Sequence, residues 1–132
     1  MWSNLSPITN TQMNLFESHF SFRINPPLRD FLLDHNGGTP TPGIFPTNIR
    51  NREIAYLLDF RESRSDKSAW TVNQRVRRLI GPKRLVIGVD SLGNFICIER
   101  EHKQQEIVVW NHVTNKFEKA QWNIPVLLQS LG

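Results

Sequence analysis

The chain has 132 residues, a hydrophobic fraction of 39%, a formal net charge of +4 and a sequence pI near 9.7. This composition excludes a disordered chain, and the length predicts a single domain over residues 1–132. The N-terminus lacks the basic and apolar regions of a signal peptide, no apolar run approaches the ~20 residues of a membrane span, and Cys97 has no second cysteine to pair with. We therefore expect a cytoplasmic protein without membrane contact.

Two helices are predicted near the start of the chain. Thr9 and Gln12 have the spacing of a capping box ahead of an apolar stripe, which predicts a first helix over about residues 10–19. The next segment, "NPPLRDFLLDHNGG", has Asn25 as a candidate N-cap and prolines at the first helical positions. Gly37 and its neighbouring glycine are typical of a helix end, so this second helix is short.

The middle of the chain is predicted to contain a surface loop, a buried strand and a third helix. Glycines and prolines cluster in residues 36–51, which predicts a long loop. "REIAYLLDF" is apolar on both alternations, as is typical of a central strand covered on both faces. The third helix is predicted to begin near Thr71, which has Gln74 at capping-box spacing, and to end at Gly81. Its predicted inward stripe consists of Val72, Val76, Leu79 and Ile80.

A run of strands follows the third helix. "RLVIGVD", "NFICIER" and "EIVVWNHV" are separated by connections short enough for antiparallel hairpins. "FEKA" predicts a further short strand, and "NIPVLLQSLG" predicts a closing helix with Asn123 as its cap. The order of elements predicts an α+β domain, an antiparallel meander sheet with helices packed mainly on one side.

The segment "IGVDSLGNFICIE", residues 87–99, resembles a functional loop at first sight. A phosphate loop requires a helix N-terminus behind its glycines, yet a strand follows Gly93, and an ion loop requires alternating carboxylates where only Asp90 is present. Asp90 suits the first position of a type I turn, and Gly93 suits the left-handed position after it. The segment is therefore predicted to be a β-hairpin.

Catalytic and metal-binding groups give no convincing constellation. Cys97 would need His112 or His102 as a base to act as a nucleophile, but it lies in an apolar strand where cysteine packs in the core. The histidines show no metal-ligand spacing. Asp59 and Glu62 could form a hydrolytic pair only through an arrangement in three dimensions. We expect no enzyme, no cofactor and no metal.

A basic cluster, "RVRRLIGPKR", lies on the third predicted helix and beyond it. Such a cluster is most often the solvated face of an amphipathic helix, and it can also face nucleic acid or an acidic protein. Exposed aromatic residues do not interleave with it and no groove-reading motif is present, so direct binding of nucleic acid is not predicted. Trp70, next to this cluster, is either a core-edge residue or a partner anchor.

Two stretches of the chain together resemble the SUKH superfamily. Residues 8–38, "ITNTQMNLFESHFSFRINPPLRDFLLDHNGG", are similar to its opening, with a first helix, a proline-bearing turn and a short helix ending in Asn-Gly-Gly. "IGVDSLGNFICIE" resembles its glycine-centred hairpin, and "EIVVWNH" its following strand with Trp110 and His112. The residues at matching places in the opening are Glu17, Pro27, Phe31, Leu32, Asn36, Gly37 and Gly38.

The resemblance implies an α+β binding domain that is not an enzyme. Bacterial SUKH members mostly serve as immunity proteins for polymorphic toxin systems, and many of those toxins are nucleases, while related members include the Smi/Knr regulators of yeast cell-wall synthesis. For this chain it implies an inhibitor that binds one cognate toxin domain, with EndoU-type and HNH-type ribonucleases as candidates. The alternative is a nucleic-acid-binding or regulatory scaffold domain, because fold alone does not determine function.

The net charge indicates where such an inhibitor would bind. A nuclease active site is positive, so an inhibitor of charge +4 is expected to bind beside it, or at a surface needed for the toxin's assembly or movement, rather than in it. Acidic patches, Asp59 with Glu62 and Asp66 or Glu99 with Glu101, would overturn this expectation if they occupied the toxin's catalytic pocket. The predicted contacts were chosen for exposure and for arginine and aromatic hot-spot chemistry. They are Arg61, Arg64, Lys67, Trp70, Arg75, Arg78, Glu101, His102 and Lys103.

Overall fold

The computed structural model describes residues 2–101 and 104–120. These residues form an α+β fold with a six-stranded antiparallel sheet and three helices, as predicted. The elements are β1 (Trp2–Ser3), α1 (Asn10–Phe20), α2 (Pro26–Asp34), β2 (Thr39–Pro40), β3 (Ile44–Pro46), β4 (Asn51–Leu57), α3 (Ala69–Ile80), β5 (Arg84–Asp90), β6 (Phe95–Glu101), β7 (Gln104–Asn111) and β8 (Lys116–Lys119). The closing helix predicted after Asn123 lies outside the described residues.

The main sheet has the order β3-β4-β5-β6-β7-β8, and it curls until its two outer strands meet at one end. Thr47, just after β3, forms an antiparallel bridge with Ala120, just after β8. The backbone N–H of Asn48 donates to the Lys119 carbonyl over 2.8 Å, and the Lys119 N–H donates to Asn48 Oδ1 over 2.9 Å. These contacts join strands that a flat sheet would hold far apart.

The first two helices begin where the sequence predicts. The α1 cap is a complete capping box, in which Gln12 N–H donates to Thr9 Oγ1 over 3.2 Å and Thr9 N–H donates to Gln12 Oε1 over 2.9 Å. Asn25 occupies the N-cap position of α2, but its side chain makes no capping hydrogen bond. The helix start is favoured instead by the prolines in its first turn.

The predicted cap of α3, Thr71, is wrong by three residues. Ser68 is the N-cap, and its Oγ accepts from the Trp70 backbone N–H over 3.2 Å. Thr71 lies inside the helix and donates its hydroxyl to the Ser63 carbonyl over 2.9 Å, so it is not available as a cap. Leu79 is exposed rather than on the inward stripe.

The predicted long loop over 36–51 is also wrong in part. This segment contains β2 and β3, and β3 pairs with β4 as an edge strand of the sheet. Phe45 is almost completely buried, and the Gly43 carbonyl accepts from the Ile54 backbone N–H over 2.9 Å. β4 lies inside the sheet as predicted, although Glu53 is exposed, so the beginning of the strand is not covered on both faces.

The "IGVDSLGNFICIE" segment is the predicted hairpin. Asp90 Oδ1 accepts from the backbone N–H groups of Leu92 and Asn94, over 3.0 and 2.7 Å, and Gly93 has a φ of +82°. Cys97 is fully buried in the second strand, where burial raises the pKa of its thiol to about 12. The hairpin turns the chain and packs a thiol into the core.

Candidate partner-binding surface

The charged connection, residues 61–67, is exposed along its whole length and is fixed at its base. Asp59 and Ser68 flank it and form a parallel bridge. The Asp59 N–H donates to the Lys67 carbonyl over 2.9 Å, and the Ala69 N–H donates to the Asp59 carbonyl over 2.7 Å. The connection is therefore a closed surface loop that ends at the start of α3.

Arg61, the first predicted contact, is held by its own chain. Its guanidinium lies 2.7 Å from Asp59 Oδ2, and Asp59 Oδ1 also accepts from Asn36 Nδ2 over 2.8 Å. Burial raises the pKa of Asp59, but the hydrogen bonds from Arg61 and Asn36 outweigh burial and leave that pKa below its usual value. Asp59 is thus not a free acidic contact.

Other predicted cations are more available to a partner. Arg64 and Arg78 are exposed, and their side chains make no hydrogen bond or ion pair within the described structure. Lys67 is exposed with its Nζ 5.0 Å from the Tyr56 ring centroid. Arg75 pairs with Asp66 over 3.3 Å, and such an exposed pair contributes only about 0–1 kcal/mol. We call the set Arg64, Lys67, Arg75 and Arg78 the basic surface.

The net charge of the chain is concentrated in this region. Residues 61–78 contain six Arg or Lys and two Asp or Glu, a difference of +4, which equals the net charge of the whole chain. Two of the suggested acidic residues are paired, Asp66 with Arg75 and Glu99 with Arg84 over 2.6 Å, whereas Glu62 is exposed within the charged connection. The surface can therefore attract an anionic partner.

Trp70 is a core-edge residue, one of the two alternatives that the sequence left open, and it is not an exposed contact. It is 8% exposed, and its Nε1–H donates to the Phe60 carbonyl over 2.9 Å. Its ring packs at 5.8 Å from both Phe16 and Phe20 of α1. Because α3 begins at Ala69, Trp70 falls in its first turn and points into the core.

Three predicted contacts remain, Glu101, His102 and Lys103. Glu101 ends β6 in register with Gln104, whereas His102 and Lys103 lie outside the described residues.

Sequence reasoning missed an open cavity of about 740 Å³ between α1, the start of α2 and the end of β6. Arg23 lies on its rim, and Arg100 is 5.1 Å from the Phe22 ring centroid. Glu17 and Arg29 form an ion pair of 2.8 Å in its wall. Ten of its eleven lining residues fall between Asn14 and Arg29, and the eleventh is Arg100 of β6, so the cavity depends on a contact that the local pattern of residues 14–29 does not encode.

A buried polar cluster supports the end of the sheet where its outer strands meet. Arg52 Nε donates to Glu118 Oε1 over 3.0 Å, and Arg52 Nη1 lies 3.8 Å from Asp90 Oδ2. Thr47 Oγ1 donates to Glu118 Oε1 over 2.9 Å. The hydrogen bonds from Arg52 hold the pKa of Glu118 below its usual value. This cluster joins β4, β5 and β8.

Three turns project from this same end of the sheet, and each carries an exposed aliphatic residue. We call these residues the hairpin tips: Ile49 (61% exposed), Leu92 (65%) and Val113 (80%). In each turn the backbone N–H of the tip donates to a side-chain oxygen two residues earlier, over 2.9 to 3.2 Å. The acceptors are Thr47, Asp90 and Asn111. A Thr, Asp or Asn two residues before an aliphatic residue in a turn is the signal that could have found them.

The described residues contain no group of three or more His, Cys, Asp or Glu side chains placed to hold a metal ion. None of the helices in this part of the chain has the length and apolar character needed to cross a membrane.

A curled six-stranded antiparallel sheet with three helices defines an α+β domain of the SUKH-like type. The chain belongs to the SMI1 / KNR4 family (SUKH-1), whose sequence profile matches residues 7–123. The predicted resemblance is thereby confirmed. No curated protein and no solved structure matches the chain. Membership of this family is consistent with an immunity role, and the family in general implies a toxin as partner.

Proposed function

We propose that this chain is an immunity protein that neutralises one cognate toxin domain, a nuclease, by forming a stoichiometric complex with it in the cytoplasm. The observation that carries the proposal is the family match over residues 7–123, which spans most of the chain. The state of the reactive groups supports it. The thiol of Cys97 is buried with a pKa raised to about 12, and Asp59 is bound by Arg61, so neither is poised for catalysis.

The basic surface is our proposed contact region for the toxin. Arg64 and Arg78 have no partner within the described structure, so a complex can pair them without first breaking an internal ion pair. Their charge suits an acidic patch beside a nuclease active site rather than the positive active site itself. This location blocks the nuclease by covering or immobilising it, without imitating its substrate.

The test uses the toxin domain encoded by the reading frame upstream of this chain's gene. We expect the purified chain to bind it with nanomolar or tighter affinity through an interface of about 1,600 Å², and to restore growth of cells that express it. The double substitution Arg64→Glu and Arg78→Glu should weaken binding at least about tenfold, since arginine is a common hot-spot residue. Arg23→Glu, an exposed arginine on another segment, is the matched control. Failure of the unsubstituted chain to bind and to protect cells rejects the immunity function.

The net charge of +4 carried by residues 61–78 also favours a second candidate, a nucleic-acid-binding or regulatory scaffold domain. A salt titration with a single-stranded RNA oligonucleotide separates the two functions. Phosphate binding weakens steeply with salt in proportion to the cations engaged, whereas a toxin interface with an apolar centre persists. Tight RNA binding with a steep salt slope would support the scaffold.

A further inference from the structure

We infer that the hairpin end of the sheet is a second contact surface of this protein, which receives an apolar side chain flanked by carboxylates from a protein partner. The inference rests on the proposed function, because it takes the cognate toxin domain as that partner. It adds an apolar centre to an interface for which the basic surface supplies only charged contacts.

The first support is the distribution of exposed aliphatic residues. Seven large hydrophobic side chains are exposed among the described residues, and four of them lie at this end: Ile44, Ile49, Leu92 and Val113. The other three, Leu5, Leu15 and Leu79, lie on separate elements. Single exposed leucines are ordinary on protein surfaces, whereas a concentration of them marks an interaction site.

The strand register places these residues together. Ile54 is opposite Asp90, so the start of β4 lies beside the end of β5. Phe95 is opposite Trp110, so the start of β6 lies beside the end of β7. All three turns that carry the hairpin tips therefore emerge from one end of the curled sheet.

A small cavity at this end provides space for an anchoring side chain. It has a volume of about 290 Å³ and lies between Ile44 and Leu92. The buried side chains of Arg52 and Asp90 contribute to its lining. An aliphatic or aromatic side chain inserted there would contact the apolar residues at the rim, as in the desolvated centre of a protein interface.

The end is rigid before any partner binds. Asn94 Nδ2 donates to Asp90 Oδ2 over 3.0 Å, and Asn94 Oδ1 accepts from the His112 backbone N–H over 3.1 Å, which ties two of the turns together. Thr47 and Arg52 both bind Glu118, which ties the third turn to β8. Because these turns are already ordered, binding loses little conformational entropy.

Charge selects the kind of partner. Arg50 and Lys116 are exposed beside the first and last of the three turns. In a symmetric pair of this chain the same surface patch meets itself, so the two cations of each copy would be brought together, offset only by Glu53, the exposed carboxylate in the cavity lining. Aliphatic tips also lack the flat rings on which nucleic-acid bases stack. A protein that presents carboxylates around an apolar residue can pair with these cations and pack against the hairpin tips.

The test measures the affinity of the intact chain for the upstream-encoded toxin domain by calorimetry. Leu92→Ser combined with Ile49→Ser should weaken binding at least about tenfold, mainly through faster dissociation. Leu15→Ser is the matched control, because Leu15 is 60% exposed and lies on α1, which carries no residue of either proposed surface, and it should change affinity by less than about twofold. Thermal unfolding of each variant verifies that these exposed substitutions leave the fold intact.

A second arm tests charge. Lys116→Glu should weaken binding more than Lys83→Glu, an equal change at the opposite end of the sheet. If the unsubstituted chain binds the toxin and the variant with Leu92→Ser and Ile49→Ser binds it equally well, this inference is overturned and the proposed function stands. No binding by the unsubstituted chain overturns both. A concentration-dependent dimer in sedimentation, abolished by Leu92→Ser, would identify a second copy of this chain as the occupant and overturn the inference. RNA binding that is abolished by Lys116→Glu would identify RNA as the occupant and also overturn it.

Discussion

At the scale of single residues, Arg52 is the group on which the hairpin end depends. Its guanidinium is buried together with two carboxylates, Glu118 and Asp90, and the hydrogen bonds to Glu118 raise the pKa of Arg52 above its ordinary value. A buried charge is tolerated only when it is paired and hydrogen-bonded. Loss of Arg52 would leave both carboxylates in a low-dielectric site without compensation.

Arg52→Met should therefore lower the free energy of unfolding by about 3–5 kcal/mol, the usual cost of breaking a buried pair. Urea unfolding monitored by circular dichroism measures it. Arg50→Met, at an exposed neighbouring position, is the matched control and should change stability by no more than about 0.5 kcal/mol. Adding Glu118→Met to Arg52→Met should recover part of the loss, because the uncompensated carboxylate is removed. If Arg52→Met and Arg50→Met have equal free energies of unfolding, this account is contradicted.

The thiol of Cys97 should be inert in the folded protein. Burial raises its pKa to about 12, against roughly 8.5 for a free cysteine, so the thiolate near about pH 8 is some three orders of magnitude scarcer. Native protein mixed with a chromogenic disulfide reagent should react only as fast as it unfolds, and protein in denaturing urea should react at once. A rapid native reaction would show that the thiol is accessible and reopen the nucleophile hypothesis.

At the scale of elements, the start of α3 shows how a local pattern can mislead. Ser68→Ala should lower stability by about 1 kcal/mol, because the Trp70 backbone N–H loses its acceptor. Thr71→Ala should cost less, about 0.5 kcal/mol or below, since its hydroxyl bond to Ser63 is exposed and alanine favours a helix interior. Urea unfolding compares the two. A larger loss for Thr71→Ala would restore Thr71 as the cap.

The limits of sequence prediction follow from the distances in the chain over which contacts form. The α1 capping box joins residues three apart, and the β5–β6 hairpin is set by Asp90 and Gly93, so both were predicted correctly. The contact between Arg52 and Glu118 spans 66 residues, and no local period encodes it. For the binding surface, exposure of the charged connection was foreseen. Burial of Trp70 was only one of two alternatives, because it depended on where α3 begins.

At the scale of the whole molecule, the basic surface and the hairpin tips lie at different parts of one α+β fold. α3 is fixed to the beginning of β5, where Asn73 Nδ2 donates to the Val86 carbonyl over 3.0 Å and the Val86 N–H donates to Asn73 Oδ1 over 2.8 Å. The hairpin tips follow the other end of that strand, after Asp90. Substitutions on the basic surface therefore leave the packing of the hairpin end unchanged, and the contributions of the two surfaces to binding can be measured separately.

The free energy of unfolding of this chain should fall in acid, and Glu118 should account for part of the fall. Its pKa is below the ordinary value of 4.5, so the unfolded chain takes up a proton on Glu118 at a higher pH than the folded chain does. The stabilisation by Glu118 is therefore complete above the ordinary pKa and is lost as the pH falls through the folded value. Glu118→Gln should be less stable than the unsubstituted chain near neutral pH.

The difference between these two proteins should shrink on acidification, because protonated Glu118 is as neutral as glutamine. Urea unfolding at a series of pH values from about 7 down to about 3 measures that difference. Glu62→Gln, which alters an exposed carboxylate of the charged connection, is the control and should follow the unsubstituted chain throughout. A difference for Glu118→Gln that stays constant across the series would mean that Arg52 and Thr47 stabilise the closed end of the sheet without using the charge of Glu118.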